Sequence, residues 1–290
     1  TLAGARGSTT GDGGWARRRP GAFGVETTLA GRRWCGVSDP HDFFGEQIAA
    51  SYDDDADARF AVAHLALESG FLAELAAPDE QSGGRALEFA IGTGRVALPL
   101  AARGVEVWGI DLSEAMVAQL RAKPGGADIP VELGDFSTAL AGVGMAGEFD
   151  LVYLVFNTIG NAAGQEAQVA TFANAARHLR VGGCFVVETH IPGVLTAQHD
   201  HRWQVFSHTD EHHGIDEYDP VTQLMWSHHY TRIEDGTYRR NSVPFRYVWP
   251  AELDLMARLA GLRLRERWEW WDRTPFTAAS ESHVSVWEKE

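Results

Sequence analysis

The sequence predicts an α/β fold built on a mainly parallel sheet of seven strands. Short apolar segments alternate with helical segments from about residue 84 onward, which is the pattern of parallel strands joined by helices. The segment 149–156 is almost wholly apolar, as expected of a central strand that is buried on both faces. The first strand runs into a turn containing Gly92 and Gly94, where the lack of a Cβ lets the chain turn tightly.

The predicted strands and helices alternate along the chain. The strands are, in order, Leu87–Ile91, Val105–Ile110, Ile129–Leu133, Phe149–Phe156, Cys184–Glu188, Leu262–Trp271 and Ser282–Glu288. The helices are His41–Ser51, a longer one capped by Asp57 and ending near Ala77, Arg95–Arg103, Ser113–Lys123, Gln165–Arg180 and Ala251–Ala260. Gly182 and Gly183 are predicted to end the helix before the fifth strand, and Pro250 and Gly261 to begin and end the last helix.

Composition divides the chain into four parts. Residues 1–38 carry six arginines and two acids and read as a disordered arm, or alternatively as a basic arm that binds an acidic partner. Residues 39–83 are predicted to form N-terminal helices, and residues 84–200 together with 250–290 the α/β domain. Residues 201–249 alternate, are rich in histidine and aromatic residues, and predict an antiparallel insertion after the fifth strand.

Charge and composition narrow the function classes. The formal net charge of -15 disfavours a nucleic-acid partner, because phosphate binding requires a basic surface. No apolar run reaches the length of a membrane span, and two cysteines, Cys35 and Cys184, are too few for a disulfide framework. We therefore expect a cytoplasmic protein, a monomer or homodimer, whose partner is a small molecule and neither nucleic acid nor membrane.

The glycine turn carries the most specific motif, Glu88-x-Ala90-x-Gly92-x-Gly94. It lacks the third glycine of a dinucleotide fingerprint and the Gly-Lys-Ser/Thr of a triphosphate loop. Glu88 would repel a phosphate and attract an ammonium group. The motif resembles the first motif of the class I S-adenosylmethionine-dependent methyltransferases, acid-x-Gly-x-Gly-x-Gly, with Ala90 in place of the first glycine.

The resemblance implies a Rossmann-like class I methyltransferase sheet, with its last strand antiparallel, and S-adenosylmethionine as cofactor. Asp111, at the end of the second strand, would accept both ribose hydroxyls, and Met116 would lie against the adenine ring. Asp135 would accept a hydrogen bond from the adenine amino group, and the N-terminal helices would cover the cofactor. Tyr52 would contact the methionine carboxylate of the cofactor or, alternatively, simply pack in the fold. The cofactor-binding residues predicted in this way are Tyr52, Glu88, Ala90, Gly92, Gly94, Asp111, Leu112, Met116, Gly134, Asp135, Phe136 and Asn157.

Methyl transfer from a sulfonium mainly requires that the acceptor be aligned and lose its proton. In open α/β sheets this takes place beyond the carboxyl ends of the strands. His190 follows the fifth strand, His283 begins the antiparallel last strand, and His229 lies on a strand of the insertion. These three histidines are the catalytic candidates.

Three roles remain open for these histidines. One of them could be a general base or a substrate contact. His190, His283 and one of His228 and His229 could instead converge on a divalent metal that assists C-methylation of an α-keto acid. Each could also simply pack in the fold. The same choice, pocket lining or core, applies to the aromatic residues of the insertion: Trp203, Tyr218, Trp226, Tyr230 and Trp249.

The function that these observations predict is methyl transfer from S-adenosylmethionine to oxygen, nitrogen or carbon of a small molecule. The Ala/Gly/Arg-rich sequence is typical of a high-GC bacterium and favours specialised metabolism. A non-catalytic regulator that binds S-adenosylmethionine is the alternative from another class. A nucleic-acid methyltransferase is disfavoured by charge and by the lack of an Asn-Pro-Pro-aromatic motif after the fourth strand.

Overall fold

The computed structural model describes residues 44–50, 52–54, 61–77, 83–192, 203–233 and 236–290. The predicted arm at 1–38 and the predicted cap Asp57 lie outside these residues. The helices are α1 Glu46–Ala49, α2 Val62–Ala76, α3 Ala97–Ala101, α4 Glu114–Ala122, α5 Gln165–His178 and α6 Pro250–Leu259. The strands are β1 Arg85–Phe89, β2 Glu106–Asp111, β3 Val131–Leu133, β4 Phe149–Leu154, β5 Leu179–His190, β6 Trp203–His208, β7 His212–Asp219, β8 Leu224–Arg232, β9 Tyr238–Arg246, β10 Leu262–Trp268 and β11 Ser282–Lys289.

The main sheet confirms the predicted fold class. Its seven strands run in the order β10-β11-β5-β4-β1-β2-β3. Strands β1 to β5 are parallel to one another, whereas β11 is antiparallel to both β5 and β10. The strand order reverses direction between β1 and β4, so that a crevice opens beyond their carboxyl ends.

Two apolar layers cover the faces of this sheet. Alternate strand residues belong to different layers, so that Tyr153 joins one and Val152 the other. The first layer includes Leu72 of α2, and the second includes Phe172 of α5 and Trp287 of β11, each with almost no exposed surface. The sheet is therefore buried on both sides, and polar side chains gather at the ends of its strands.

The fifth strand differs from the prediction. The preceding helix ends at His178, and β5 begins at Leu179 instead of Cys184. Gly182 and Gly183 therefore lie within the strand and do not end the helix. Gly182 has φ +80°, and a Cβ at Gly183 would lie 2.9 Å from the carbonyl oxygen of Phe149, where the β4–β5 register shifts. The two glycines thus accommodate an irregularity in the sheet.

The predicted insertion forms a separate antiparallel sheet in the order β6-β7-β8-β9. Arg246, at the end of β9, joins this sheet to the main fold. Its side chain is 3% exposed and donates to Oε1 of Glu252 at 2.7 Å, to Oε1 of Gln223 at 2.7 Å, and to Oε1 of Gln168 on α5. A buried guanidinium with three acceptors fixes the insertion against α5 and α6.

Candidate active site

A cavity of about 310 Å³ lies beyond the carboxyl ends of β1, β2 and β4. Its floor is the glycine turn, where Ala90, Gly92 and Gly94 have φ values of +54°, +56° and +76°. A Cβ on Gly94 would lie 2.3 Å from Cδ1 of Leu120, so only glycine fits there. Gly94 therefore permits the close packing of turn and α4, while Ala90 and Gly92 line the cavity.

Asp111 is fixed at the edge of this cavity by backbone donors. Its Oδ2 accepts from the amide of Gly92 at 2.7 Å, and its Oδ1 accepts from the amide of Ser113 at 2.8 Å. Ser113 caps α4 by accepting from the amide of Met116 at 3.2 Å. Because a carboxylate has about four acceptor positions, Asp111 can accept further hydrogen bonds from a ligand.

Glu88 forms a buried pair with Tyr153. The carboxylate is 3% exposed, and its Oε2 accepts the Tyr153 hydroxyl at 2.9 Å. Burial raises the pKa of Glu88 well above its usual range, although the Tyr153 hydrogen bond and Arg95 act in the opposite direction. A positively charged ligand group beside Glu88 would favour the ionised carboxylate.

Tyr153 was missed in the sequence analysis, where its strand was treated only as apolar. It is the one tyrosine in the otherwise apolar and acidic β4, and parallel pairing sets it beside Glu88. A polar aromatic residue within a buried strand was the signal that could have identified it.

The segment Tyr52–Asp54 lies at the cavity and is bonded to the glycine turn through Asp53. Asp53 accepts from the Thr93 hydroxyl at 2.7 Å and forms an ion pair of 2.6 Å with Lys123. The adjacent Tyr52 lines the cavity, and its ring lies edge-on to Phe156 at a centroid distance of 6.5 Å. These contacts hold Tyr52 at the mouth.

Nine of the twelve predicted cofactor residues line this cavity. They are Tyr52, Glu88, Ala90, Gly92, Asp111, Leu112, Met116, Asp135 and Phe136. Gly94 and Gly134 act through the backbone, the latter by donating to the carbonyl of Asp111 at 2.8 Å. Asn157 lines a different, smaller cavity.

Other lining residues were not predicted. Most come from the loop after β4 and from β9, and include Val155, Phe156, Thr158, Asn161, Val243 and Pro244. Thr93 and Arg95 belong to the glycine turn after β1. Phe156 and Asn157 have consecutive φ values of +59° and +58°, which are unfavourable for residues with a Cβ. The side chain of Glu188 accepts the Phe156 amide at 2.6 Å, and its carbonyl accepts the Asn157 amide at 3.2 Å. Such long-range contacts leave no pattern in the sequence.

The smaller cavity has a volume of about 160 Å³ and lies between the ends of β4 and β5 and the insertion. Its polar side chains include Asn157, His190, Asp216 and Arg246. The 3₁₀ turn Thr158–Asn161 contributes to both cavities, as does β9. The two cavities are therefore neighbours across these segments.

Of the three catalytic candidates, only His190 lines a cavity. His283 is fully buried, its Nδ1 lies 2.8 Å from the Ser285 hydroxyl, and burial, followed by nearby Arg267, lowers its pKa to about 3. It is therefore neutral at physiological pH and faces packed side chains.

His229 lies away from both cavities, within the insertion. Its Nδ1 lies 3.1 Å from Nε2 of His212, and its Nε2 lies 3.2 Å from the Ser227 hydroxyl. Its neighbour His228 is buried, with Nδ1 at 2.7 Å from the Ser242 hydroxyl. The expected convergence of His190, His229 and His283 is not observed. The side chains of His228 and His229 contact residues of the insertion sheet itself and do not reach His190.

The part of the chain that the structure describes holds no group of three histidine, cysteine or acidic side chains close enough to bind a metal ion. The metal-assisted hypothesis thereby loses the ligands it required. No helix among the described residues is long and apolar enough to cross a membrane.

Comparisons with known proteins identify the family. A family model described as a methyltransferase domain matches residues 86–183. The structure of the CcbJ methyltransferase from Streptomyces caelestis is 34% identical, with a TM-score of 0.74 over 86% of this chain and 98% of that one. The chain belongs to the class I S-adenosylmethionine-dependent methyltransferases.

More distant structures share the fold of this methyltransferase. The sugar N-methyltransferase KedS8 from Streptoalloteichus sp ATCC 53650 is 19% identical, with a TM-score of 0.58, and the match covers 93% of this chain and 100% of that one. The amino pentose methyltransferase CalS10 from Micromonospora echinaspora, determined with S-adenosylmethionine bound, is also 19% identical, with a TM-score of 0.58 over 83% and 95% of the two chains. Membership of this family supports the predicted enzyme over the regulator considered above.

The larger cavity of this methyltransferase fits its cofactor. S-adenosylmethionine carries a sulfonium and an ammonium, and the cavity wall carries the acids Glu88, Asp111 and Asp135. Met116 and Phe136 supply apolar surface for a flat ring, and Arg95 supplies one cation for a carboxylate. Its volume of about 310 Å³ is in the range of small-molecule sites.

Proposed function

We propose that this methyltransferase modifies an oxygen or nitrogen atom of a small molecule of specialised metabolism. The larger cavity would hold the cofactor and is called the cofactor cavity below. The acceptor would bind between this cavity and the insertion. The observation that carries the proposal is the presence of two neighbouring cavities, of about 310 and 160 Å³, that share the turn Thr158–Asn161 and strand β9. Such volumes suit a small acceptor next to the cofactor. The Ala/Gly/Arg-rich composition supports a high-GC bacterial source.

In this proposal the acids of the larger cavity bind the cofactor by its positive and hydroxyl groups. Glu88 receives the ammonium group, with Tyr153 orienting the carboxylate. Asp111 accepts the ribose hydroxyls, since its position is fixed by two backbone amides. Asp135 accepts from the adenine amino group, and Tyr52 contacts the methionine carboxylate.

The chain's part in the reaction is to align the acceptor and to remove its proton. S-adenosylmethionine supplies a methyl group already activated by the sulfonium. His190 lines the cavity assigned to the acceptor, where an imidazole can accept the proton that an oxygen or nitrogen loses. The loop after β4 is held by Glu188, which keeps Phe156 in the wall of the larger cavity, where the acceptor has to be aligned with the methyl group.

Calorimetry with S-adenosylmethionine tests the cofactor part of this proposal. Asp111→Asn is expected to weaken binding by about 1–3 kcal/mol, because a carboxylate that accepts hydrogen bonds is replaced by a weaker acceptor. Asp128→Asn is the matched control, since Asp128 is exposed and lines neither cavity. Unchanged affinity in a folded Asp111→Asn protein would show that the ribose is bound elsewhere.

A further inference from the structure

The smaller cavity carries an acidic side chain with an unused acceptor. We propose that this cavity binds a protonated amine borne by the methyl acceptor, and that Asp216 is the counter-ion that recognises it. The proposal rests on the proposed function, which places the acceptor beside the insertion. It goes further by giving the acceptor a chemical class, a small amine.

The strongest observation is the state of the Asp216 carboxylate. Its Oδ1 is buried and has no hydrogen-bond partner among the residues that the structure describes. Its Oδ2 accepts a long hydrogen bond, 3.4 Å, from the hydroxyl of Tyr218, and the Ser227 hydroxyl also lies near this carboxylate. Buried carboxylate oxygens are nearly always paired in native proteins, so an unpaired one on a residue that lines a cavity indicates a carboxylate that can take a further donor.

Burial also destabilises the ionised form of this carboxyl group, which a nearby positive charge would stabilise. Burial raises the pKa of Asp216, although the hydroxyls of Ser227 and Tyr218 and the nearby His228 act in the opposite direction. An ammonium group beside the carboxylate would supply both a donor and the compensating charge.

The cation already present in the wall does not meet this need. Arg246 lines the same cavity, but its guanidinium is paired with Glu252 and with the amide oxygens of Gln168 and Gln223. Its charge is thus compensated by Glu252. The cavity presents an acid with an open acceptor and a base-capable imidazole, His190.

Aromatic rings complete the environment expected for a cation. Tyr218 and Tyr247 line the cavity with ring centroids 5.8 Å apart and an interplanar angle of 63°, and Phe245 lines it beside them. The negative faces of such rings stabilise an ammonium group. A volume of about 160 Å³ has room for an amine on a body the size of a six-membered ring.

Binding of two matched probes tests the proposal. Cyclohexylamine is protonated at pH 7, whereas cyclohexanol has the same ring and no charge. Their affinities are measured by ligand-observed NMR in the presence of S-adenosylhomocysteine, for the wild type, Asp216→Asn and Glu217→Gln. Glu217 is the matched control because it is adjacent on β7, lies near His228 at 3.6 Å, and lines neither cavity.

The expected result is that cyclohexylamine binds the wild type and Glu217→Gln alike, and Asp216→Asn about tenfold or more weakly. Cyclohexanol should bind weakly to all three proteins. Equal binding of both probes to the wild type, no binding of cyclohexylamine, or an unaffected Asp216→Asn would each overturn the proposal. A wild type in which the two probes bind equally, but Asp216→Asn weakens both, would indicate instead that a neutral Asp216 donates to a hydroxyl.

A second measurement separates this proposal from the proposed function. The affinity of each variant for S-adenosylmethionine is measured by calorimetry, and its melting temperature by calorimetric scanning. Asp216→Asn should keep both, because Asp216 does not line the cofactor cavity. Loss of amine binding with cofactor binding intact supports the amine site, whereas a wild type that fails to bind S-adenosylmethionine would contradict the proposed function itself.

Discussion

The hydroxyl of Tyr153 donates a 2.9 Å hydrogen bond to Glu88, its register partner on the neighbouring parallel strand. Both side chains are buried, with exposed fractions of 0% and 3%. The hydrogen bond therefore orients the buried Glu88 carboxylate at the edge of the larger cavity.

Replacing Tyr153 by phenylalanine is expected to weaken binding of S-adenosylmethionine by about 1.5–3 kcal/mol, because a carboxylate loses a buried donor. Calorimetric titration measures the effect. Tyr238→Phe is the control, since Tyr238 is 41% exposed and its hydroxyl donates to a carbonyl within the insertion. An equal loss in both variants would show that Tyr153 has no specific part in cofactor binding.

Because His190 lines a cavity and His229 does not, we expect their substitutions to affect turnover differently. His190→Ala should lower turnover about 10²–10⁴-fold if the imidazole is the general base. His229→Ala should leave turnover nearly unchanged, because the contacts of its ring, with Phe206, His212 and Ser227, lie within the insertion. Steady-state kinetics with and without a chelator measures both effects, and a chelator should have no influence. Loss of activity on chelation would revive the metal-assisted hypothesis.

The contact between Arg246 and Glu252 predicts how stability depends on pH. Burial would raise the pKa of Glu252, but hydrogen bonds from Arg246, Gln223 and Gln165 outweigh it, so the pKa lies below the usual value of 4.5. A depressed pKa stabilises the folded state above pH 4.5, and this contribution is lost as pH falls through the folded-state pKa.

Glu252→Gln should therefore reduce the free energy of unfolding by about 1–3 kcal/mol at pH 7, and by less as the pH falls below 4.5. Urea unfolding across this pH range provides the measurement. Glu290→Gln serves as the comparison, because the Arg263–Glu290 pair is exposed and contributes little. A pH-independent difference would argue that Glu252 acts through packing alone.

Removal of residues 1–38 is expected to leave the melting temperature and the cofactor affinity unchanged. Their composition offers too little apolar surface to offset the entropy of ordering. Thermal unfolding and calorimetry of the shortened protein measure the two quantities. A clear decrease in either would mean that this segment contributes to the folded enzyme.

Most of the fold could be predicted from the sequence, because the apolar runs that mark the strands of a parallel sheet are local features. Buried strands such as 149–154 are continuous apolar runs, and the glycine turn and Asp111 stand at fixed positions relative to them. Strand five was placed too late because Gly182 and Gly183 read as a helix stop. Only the pairing of Leu179 with Phe149 reveals that they belong to a strand.

The acceptor side could be predicted only in part. His190 followed from strand topology, but the direction of the insertion strands did not, and so His229 was expected at a mouth that it does not reach. Asp216 carried no signal, because an acid within an alternating strand resembles a solvent-facing residue. Its significance depends on the cavity that the insertion forms with β5, which is a tertiary property.

The Arg246 contacts have a consequence for engineering the enzyme's selectivity. Exchange of the insertion between related methyltransferases is an obvious way to alter the acceptor. Here a transplanted insertion would also have to satisfy Gln168 and Glu252, which belong to α5 and α6 of the recipient. We expect chimeras to remain folded if they retain all four residues: Gln168, Gln223, Arg246 and Glu252. A chimera that lacks one partner of the ion pair between Arg246 and Glu252 would leave the other as an unpaired charge in the interior.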